Sequence, residues 1–116
     1  MNLKMENKYR KLLQKESTNL YKNYESIMLE QFELFCKKQL DYGISNISTG
    51  ANLEKKEGKV FALTGLWFRM NDKISRWKNL MLKDRKANNE SLLDSFKDLG
   101  NYSIIAQLVS KGLWTE

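Results

Sequence analysis

The 116-residue chain contains no histidine and no proline, and it has a single cysteine. Without histidine there is no imidazole base for a Ser–His–Asp triad, no zincin motif and no Cys2His2 finger. With one thiol, no disulfide can close within the chain. Cys36 lies in the amphipathic stretch Phe32-Glu33-Leu34-Phe35-Cys36. With no imidazole to activate it, it reads as a packed thiol rather than a nucleophile. No run approaches the roughly 20 apolar residues that span a bilayer, and Met1-Asn2-Leu3-Lys4 does not open a signal peptide. These absences predict a cytoplasmic, reduced protein without a membrane partner.

Hydrophobic residues make up 41% and charged residues 29%, so one domain with a core is expected and disorder is not. The formal charge of +6 is unevenly spread. Residues 1–22 hold six Lys and Arg (Lys4, Lys8, Arg10, Lys11, Lys15 and Lys22) against Glu6 and Glu16. Residues 69–86 hold seven (Arg69, Lys73, Arg76, Lys78, Lys83, Arg85 and Lys86) against Asp72 and Asp84. The remainder of the chain is net acidic. Such segments are either solvated helix faces or sites for an anionic partner such as phosphate or nucleic acid.

The lack of proline and the 3.6-residue spacing of apolar positions predict helices throughout. A basic first helix over 3–16 either continues through Ser17-Thr18 or is recapped there. Residues 1–18 thus form a basic helix or arm, and residues 19–114 the core of a single domain. A second helix over 19–40 places Leu20, Tyr24, Ile27, Met28, Phe32 and Phe35 on one broad stripe expected to face the core. Residues 41–59, with three glycines and several Asn and Ser, predict a long loop. Its first half, with Tyr42, Ile44 and Ile47, is the functional candidate, and Glu54 to Lys59 reads as a solvated turn. A third helix over 60–83 carries Leu63, Leu66, Trp67, Met70, Ile74, Trp77 and Met81 at spacings of three and four, with Arg69, Asp72, Lys73 and Arg76 on the flank. A fourth begins after Asn88 or Asn89, with Glu90 complementing its dipole. It supplies Leu92, Leu93, Phe96, Leu99, Ile104, Ala106 and Leu108, and stops at Lys111-Gly112. The expected class is all-α, with four to five helices in a compact bundle.

Asp94 and Asp98 stand four residues apart on the fourth helix, and Asn101 continues that side. Like charges at this spacing destabilise a helix unless a cation offsets them. The cation is either Mg²⁺ or a neighbouring Lys or Arg. An antiparallel third helix would bring Asp72 to Asp94 and Asp98, a three-carboxylate set suited to Mg²⁺, with Arg and Lys left for phosphate. The alternative is that Arg69, Asp72 and Arg76 pair among themselves. Glu30 and Glu33 form an E-x-x-E pair, but Glu33 has Lys37 at i+4 as an ordinary partner. Trp67 and Trp77 read as core, Tyr42 as a ring a loop can present for stacking, and Trp114 as either a tail anchor or an oligomer contact.

The segments Asp41-Tyr42-Gly43…Asn46-Ile47, Arg69-Met70-Asn71-Asp72-Lys73-Ile74-Ser75-Arg76 and Asn89-Glu90-Ser91…Asp94…Asp98-Leu99-Gly100-Asn101-Tyr102 resemble the nucleotide-modification-associated domain 1 family of bacteriophages and their hosts. The resemblance covers roughly residues 35–114 and implies a viral or prophage protein connected with nucleotides, acting in the host cytoplasm. More distantly, Asp94-Ser95-Phe96-Lys97-Asp98 followed by Tyr102 is similar to the second metal-binding helix of the all-α MazG and dimeric dUTPase-type pyrophosphatases. There the family pattern would place a second Glu at Ser95 and its first acidic pair at Arg69 and Asp72, so a cation stands where a metal ligand would be.

Three functions follow as expectations. In the first, a phage-type protein binds, and sequesters, a nucleotide or nucleotide-derived signal. Arg69, Lys73 and Arg76 would meet phosphates, Asn46, Asn101 and Tyr102 the sugar or base, and Tyr42 would stack. Asp72, Asp94 and Asp98 would hold Mg²⁺ or orient the cations. The second is an Mg²⁺-dependent nucleoside triphosphate pyrophosphohydrolase. The third is a nucleic-acid or protein-binding module using the basic helices. A homo-oligomer is expected for the first two, because this many helices in 116 residues bury little surface alone and the related enzymes build their sites between subunits.

Overall fold

A computed structural model describes the backbone of residues 3–116 and the side chains of residues 7–116. Lys4, named above in the first basic segment, therefore lies outside the described side chains. Five helices form among the described residues: α1 (Leu3–Glu16), α2 (Thr18–Tyr42), α3 (Ser45–Ser48), α4 (Lys56–Leu82) and α5 (Leu92–Ser110). The all-α class is as expected. The chain divides into two units, Met1–Leu34 and Phe35–Glu116, with the division inside α2.

In the first unit α1 and α2 meet at Ser17, where the ladder is carried by Ser17 N–H to the Leu13 carbonyl and Tyr21 N–H to the Ser17 carbonyl. The Thr18 hydroxyl donates to the Gln14 carbonyl at 2.8 Å, replacing a backbone bond at the junction. The expected core stripe of α2 is not buried here. Leu20, Tyr24, Ile27, Met28 and Phe32 are all exposed, and only Phe35, in the second unit, packs against a core.

In the second unit the core is Ile47, Ala62, Leu66, Ile105, Val109 and Trp114. α4 and α5 run antiparallel, with Arg76 beside Ser95, Lys73 beside Asp98, and Ala62 and Leu66 in the same core as Ile105 and Val109. The face of α4 that meets α5 is therefore the row 62, 66, 69, 73, 76, not the larger apolar stripe. Trp67, Ile74, Trp77 and Met81 are exposed, correcting their assignment to the core. The Trp77 ring does meet Phe96 edge-on at 4.8 Å.

The predicted loop over 41–59 is shorter than expected, because α2 extends to Tyr42, α3 forms within it, and α4 begins at Lys56. Gly58 does not break the helix. It admits another strand of backbone, since a Cβ there would lie 1.8 Å from the Asn52 carbonyl oxygen. The start of α5 also differs. Ser91, not Asn88 or Asn89, is the N-cap, its Oγ accepting from Asp94 N–H at 3.3 Å, and Asp94 takes the first-turn acidic position assigned to Glu90. The stop at Lys111-Gly112 is as expected. Gly112 adopts φ 70°, with Gly112 N–H to the Val109 carbonyl and Leu113 N–H to the Leu108 carbonyl, the two bonds of a Schellman motif. This turn sends Trp114 back onto the unit, where its indole N–H donates to the Ile44 carbonyl at 2.9 Å and its ring meets Phe35 edge-on. Trp114 is thus a tail anchor.

Candidate functional site

The seam between α4 and α5 changes character along its length. At one end it is apolar, with Ala62 and Leu66 packed in the core with Ile105 and Val109. Toward the start of α5 the buried residues become Ser95, Asp98 and Asn101, and α4 offers Arg69, Lys73 and Arg76. Buried polar groups persist only when partnered, and every buried side-chain polar atom among the described residues has a partner.

Asp98 is the centre. Its side chain is 9% exposed, and each oxygen takes a different ammonium: Oδ1 accepts from Lys38 Nζ at 2.8 Å and Oδ2 from Lys73 Nζ at 3.0 Å. Burial pushes the Asp98 carboxyl up, but the hydrogen bonds from Lys38 and Lys73 outweigh it and hold the group below its ordinary value. Both lysines are raised, first by the hydrogen bond to Asp98, against a smaller opposing effect of burial. One carboxylate therefore holds two cations side by side, leaving the three groups net positive.

Beside them lies a cavity of about 390 Å³. Phe35, Lys38, Gln39 and Tyr42 of α2 line it, with Asn46 and Ile47 of α3, Arg69 of α4, and Asp98, Asn101, Tyr102 and Ile105 of α5. The volume lies within the range of about 300–1,000 Å³ for small-molecule sites, and the wall mixes aromatic with polar groups as such sites do. Arg69 is aimed by an Nη2 hydrogen bond to the Asn46 carbonyl at 2.9 Å. The α2–α3 corner is held by Gln39, whose amide donates to the Gly43 carbonyl at 2.6 Å and to Asn46 Oδ1 at 3.3 Å.

Of the residues expected from sequence, Tyr42, Asn46, Arg69, Asp98, Asn101 and Tyr102 share this cavity, and Lys73 reaches its edge through Asp98. Arg76 does not line it. Its guanidinium donates to the Ser95 hydroxyl at 2.7 Å and to the carbonyls of Ser91, at 3.2 Å, and Glu90, binding α4 to the start of α5. Asp72 is exposed on α4 and Asp94 belongs to the first turn of α5, so neither lines the cavity. Among the described residues no three of His, Cys, Asp and Glu gather into a group able to hold a metal. The expected convergence of Asp72, Asp94 and Asp98 is not found, and both Asp98 oxygens face ammonium groups. This donor set does not fit Mg²⁺, which takes oxygen donors in near-octahedral order.

Lys38, Gln39 and Phe35 were not among the expected site residues. Their signal was nevertheless present, since residues 35, 38, 39 and 42 share one helical face, and Tyr42 was already a candidate. No family model, curated protein or solved structure matches the chain.

Proposed function

We propose that the protein binds and sequesters a nucleotide or a small nucleotide-derived molecule in the cavity between α2, α3, α4 and α5. The observation that carries the reading is the pairing, in one cavity, of a cationic end with an aromatic wall. Lys38 and Lys73 are held together by Asp98, and Arg69 is aimed by the Asn46 carbonyl. Arg and Lys donors suit phosphate oxygens, the guanidinium in bidentate fashion. Phe35, Tyr42 and Tyr102 offer ring faces for a base. Asn46 and Asn101 carry the amide groups suited to its polar edge or to the sugar. The resemblance of residues 41–47, 69–76 and 89–102 to a phage nucleotide-associated family supports the same ligand class.

Sequestration is favoured over hydrolysis because Asp98, the one buried carboxylate among the described residues, is committed to two ammonium groups rather than held ready to activate water. Calorimetry against a panel of mono-, di- and cyclic nucleotides tests the reading. At least one should bind in the absence of Mg²⁺ and be recovered intact. Arg69→Ala should weaken it about tenfold or more, the loss of a charge-assisted pair with phosphate. No heat from any nucleotide would count against binding, and pyrophosphate release would count against sequestration.

A further inference from the structure

The first unit poses a separate problem. From Tyr9 to Phe32 it exposes a broad apolar stripe, and no residue of α2 is fully buried. Helical segments of this kind draw most of their stability from packing an apolar face, so an unpacked one calls for a partner. We infer that the partner is a second copy of this chain, with α1 of each copy lying along α2 of the other.

Two observations select that occupant. The first is charge. Among described side chains α1 carries Lys8, Arg10, Lys11 and Lys15 against Glu16, whereas residues 18–34 carry Lys22 against Glu25, Glu30 and Glu33. One arm is basic and the other acidic, so the surface is complementary to itself under a two-fold axis, as an isologous interface requires. A uniformly basic partner would be repelled by α1, and a uniformly acidic one by α2, whereas a second copy offers each arm its opposite. The second is area. Tyr9, Leu20, Tyr24, Ile27, Met28 and Phe32 expose half or more of their surface. Together they offer roughly 700 Å² per copy, close to the ~800 Å² per partner of a standard stable interface.

The junction at Ser17 suits such an embrace. Where α1 meets α2, Tyr9, Leu13, Tyr21, Tyr24 and Met28 line an open, mostly apolar hollow of about 340 Å³ together with Arg10 and Glu25. A hollow flanked by opposite charges can receive the same side chains from a two-fold mate. This inference does not depend on the proposed ligand, since none of its residues lines the cavity around Asp98.

Sedimentation equilibrium of the full chain is the test. The wild type should sediment as a dimer at tens of micromolar, and Leu20→Glu combined with Tyr24→Glu should sediment as a monomer. Reversing the acidic arm with Glu25→Lys and Glu30→Lys should weaken dimerisation about tenfold or more, because like charges then face each other. Adding Lys8→Glu and Lys15→Glu to that variant should restore it, which a merely misfolded arm would not allow. A monomeric wild type would overturn the inference, as would a monomer that binds vesicles of anionic lipid through α1. Charge reversal without effect, or without rescue, would overturn the crossed-arm pairing.

Discussion

Lys38 and Asp98 are 60 residues apart in the chain and 2.8 Å apart in space, and this ion pair joins the end of α2 to the polar seam between α4 and α5. Lys73 completes the arrangement from the other side. Asp98 thereby sets the position of both ammonium groups at the mouth of the cavity.

Asp98→Asn should loosen the second unit and scatter its cations. Removing one partner of a buried pair costs about 3–5 kcal/mol when the remaining charge stays buried, but Lys38 is half exposed and can turn to water. A loss of about 1–2 kcal/mol is therefore expected, read as a lower urea midpoint. Nucleotide affinity should fall as well, because an amide cannot hold two ammonium groups together.

Stability should depend on pH at both extremes through the same three groups. The Asp98 carboxyl lies below its ordinary 3.8 in the folded protein. Its contribution is complete above that value and is lost as pH falls through the lower folded value, where the unfolded chain binds the extra proton. Lys38 and Lys73 lie above their ordinary 10.5. Their contribution is complete below 10.5 and is lost as pH rises through the raised folded values. Urea midpoints measured across pH should show a plateau between these limits, with both slopes flattened in Asp98→Asn.

Two glycines of α4 should respond to alanine with opposite signs. At Gly65 no atom lies within 4 Å of an added Cβ, so Gly65→Ala should stabilise by about 0.5–1 kcal/mol through helix propensity. At Gly58 the same methyl would enter the Asn52 carbonyl, and backbone cannot swing aside as a side chain can. Gly58→Ala should destabilise by about 2 kcal/mol or more. Thermal unfolding of both variants decides the matter.

Arg76 and Arg69 should separate stability from binding. Arg76→Ala releases the carbonyls of Glu90 and Ser91 and leaves the buried Ser95 hydroxyl without this donor. It should cost about 1–3 kcal/mol of stability while leaving nucleotide affinity within a few-fold of wild type. Arg69→Ala should show the reverse emphasis, with the larger change in calorimetry.

The local rules were enough to find the four long helices, though not the single turn of α3, and much of the cavity wall. Spacing placed α1 within its observed bounds, and Gly112 marked the end of α5 because a left-handed residue is needed there. Tyr42 stood out as a ring beside a glycine-containing loop, Arg69 as part of a basic flank, and Asn101 as continuing the side of Asp94 and Asp98, while Asn46 and Tyr102 came from the family resemblance; all five line the cavity. Ser91 was hidden behind two asparagines of equal capping preference, and only the backbone at Ser91 distinguishes them.

The sequence by itself determined that the chain is helical, where its charges lie, and which side chains are available, because these depend on contacts within a few residues. Tertiary structure decided which row of α4 faces α5, and so turned Asp98 toward Lys38 and Lys73 instead of toward Asp72 and Asp94. A rotation of one residue about a helix axis moves a side chain by about 100°, and only packing against another helix selects the angle. The same packing made Arg76 a brace and Trp114 an anchor. It also left the stripe from Leu20 to Phe32 exposed, although its periodicity resembles that of a core helix.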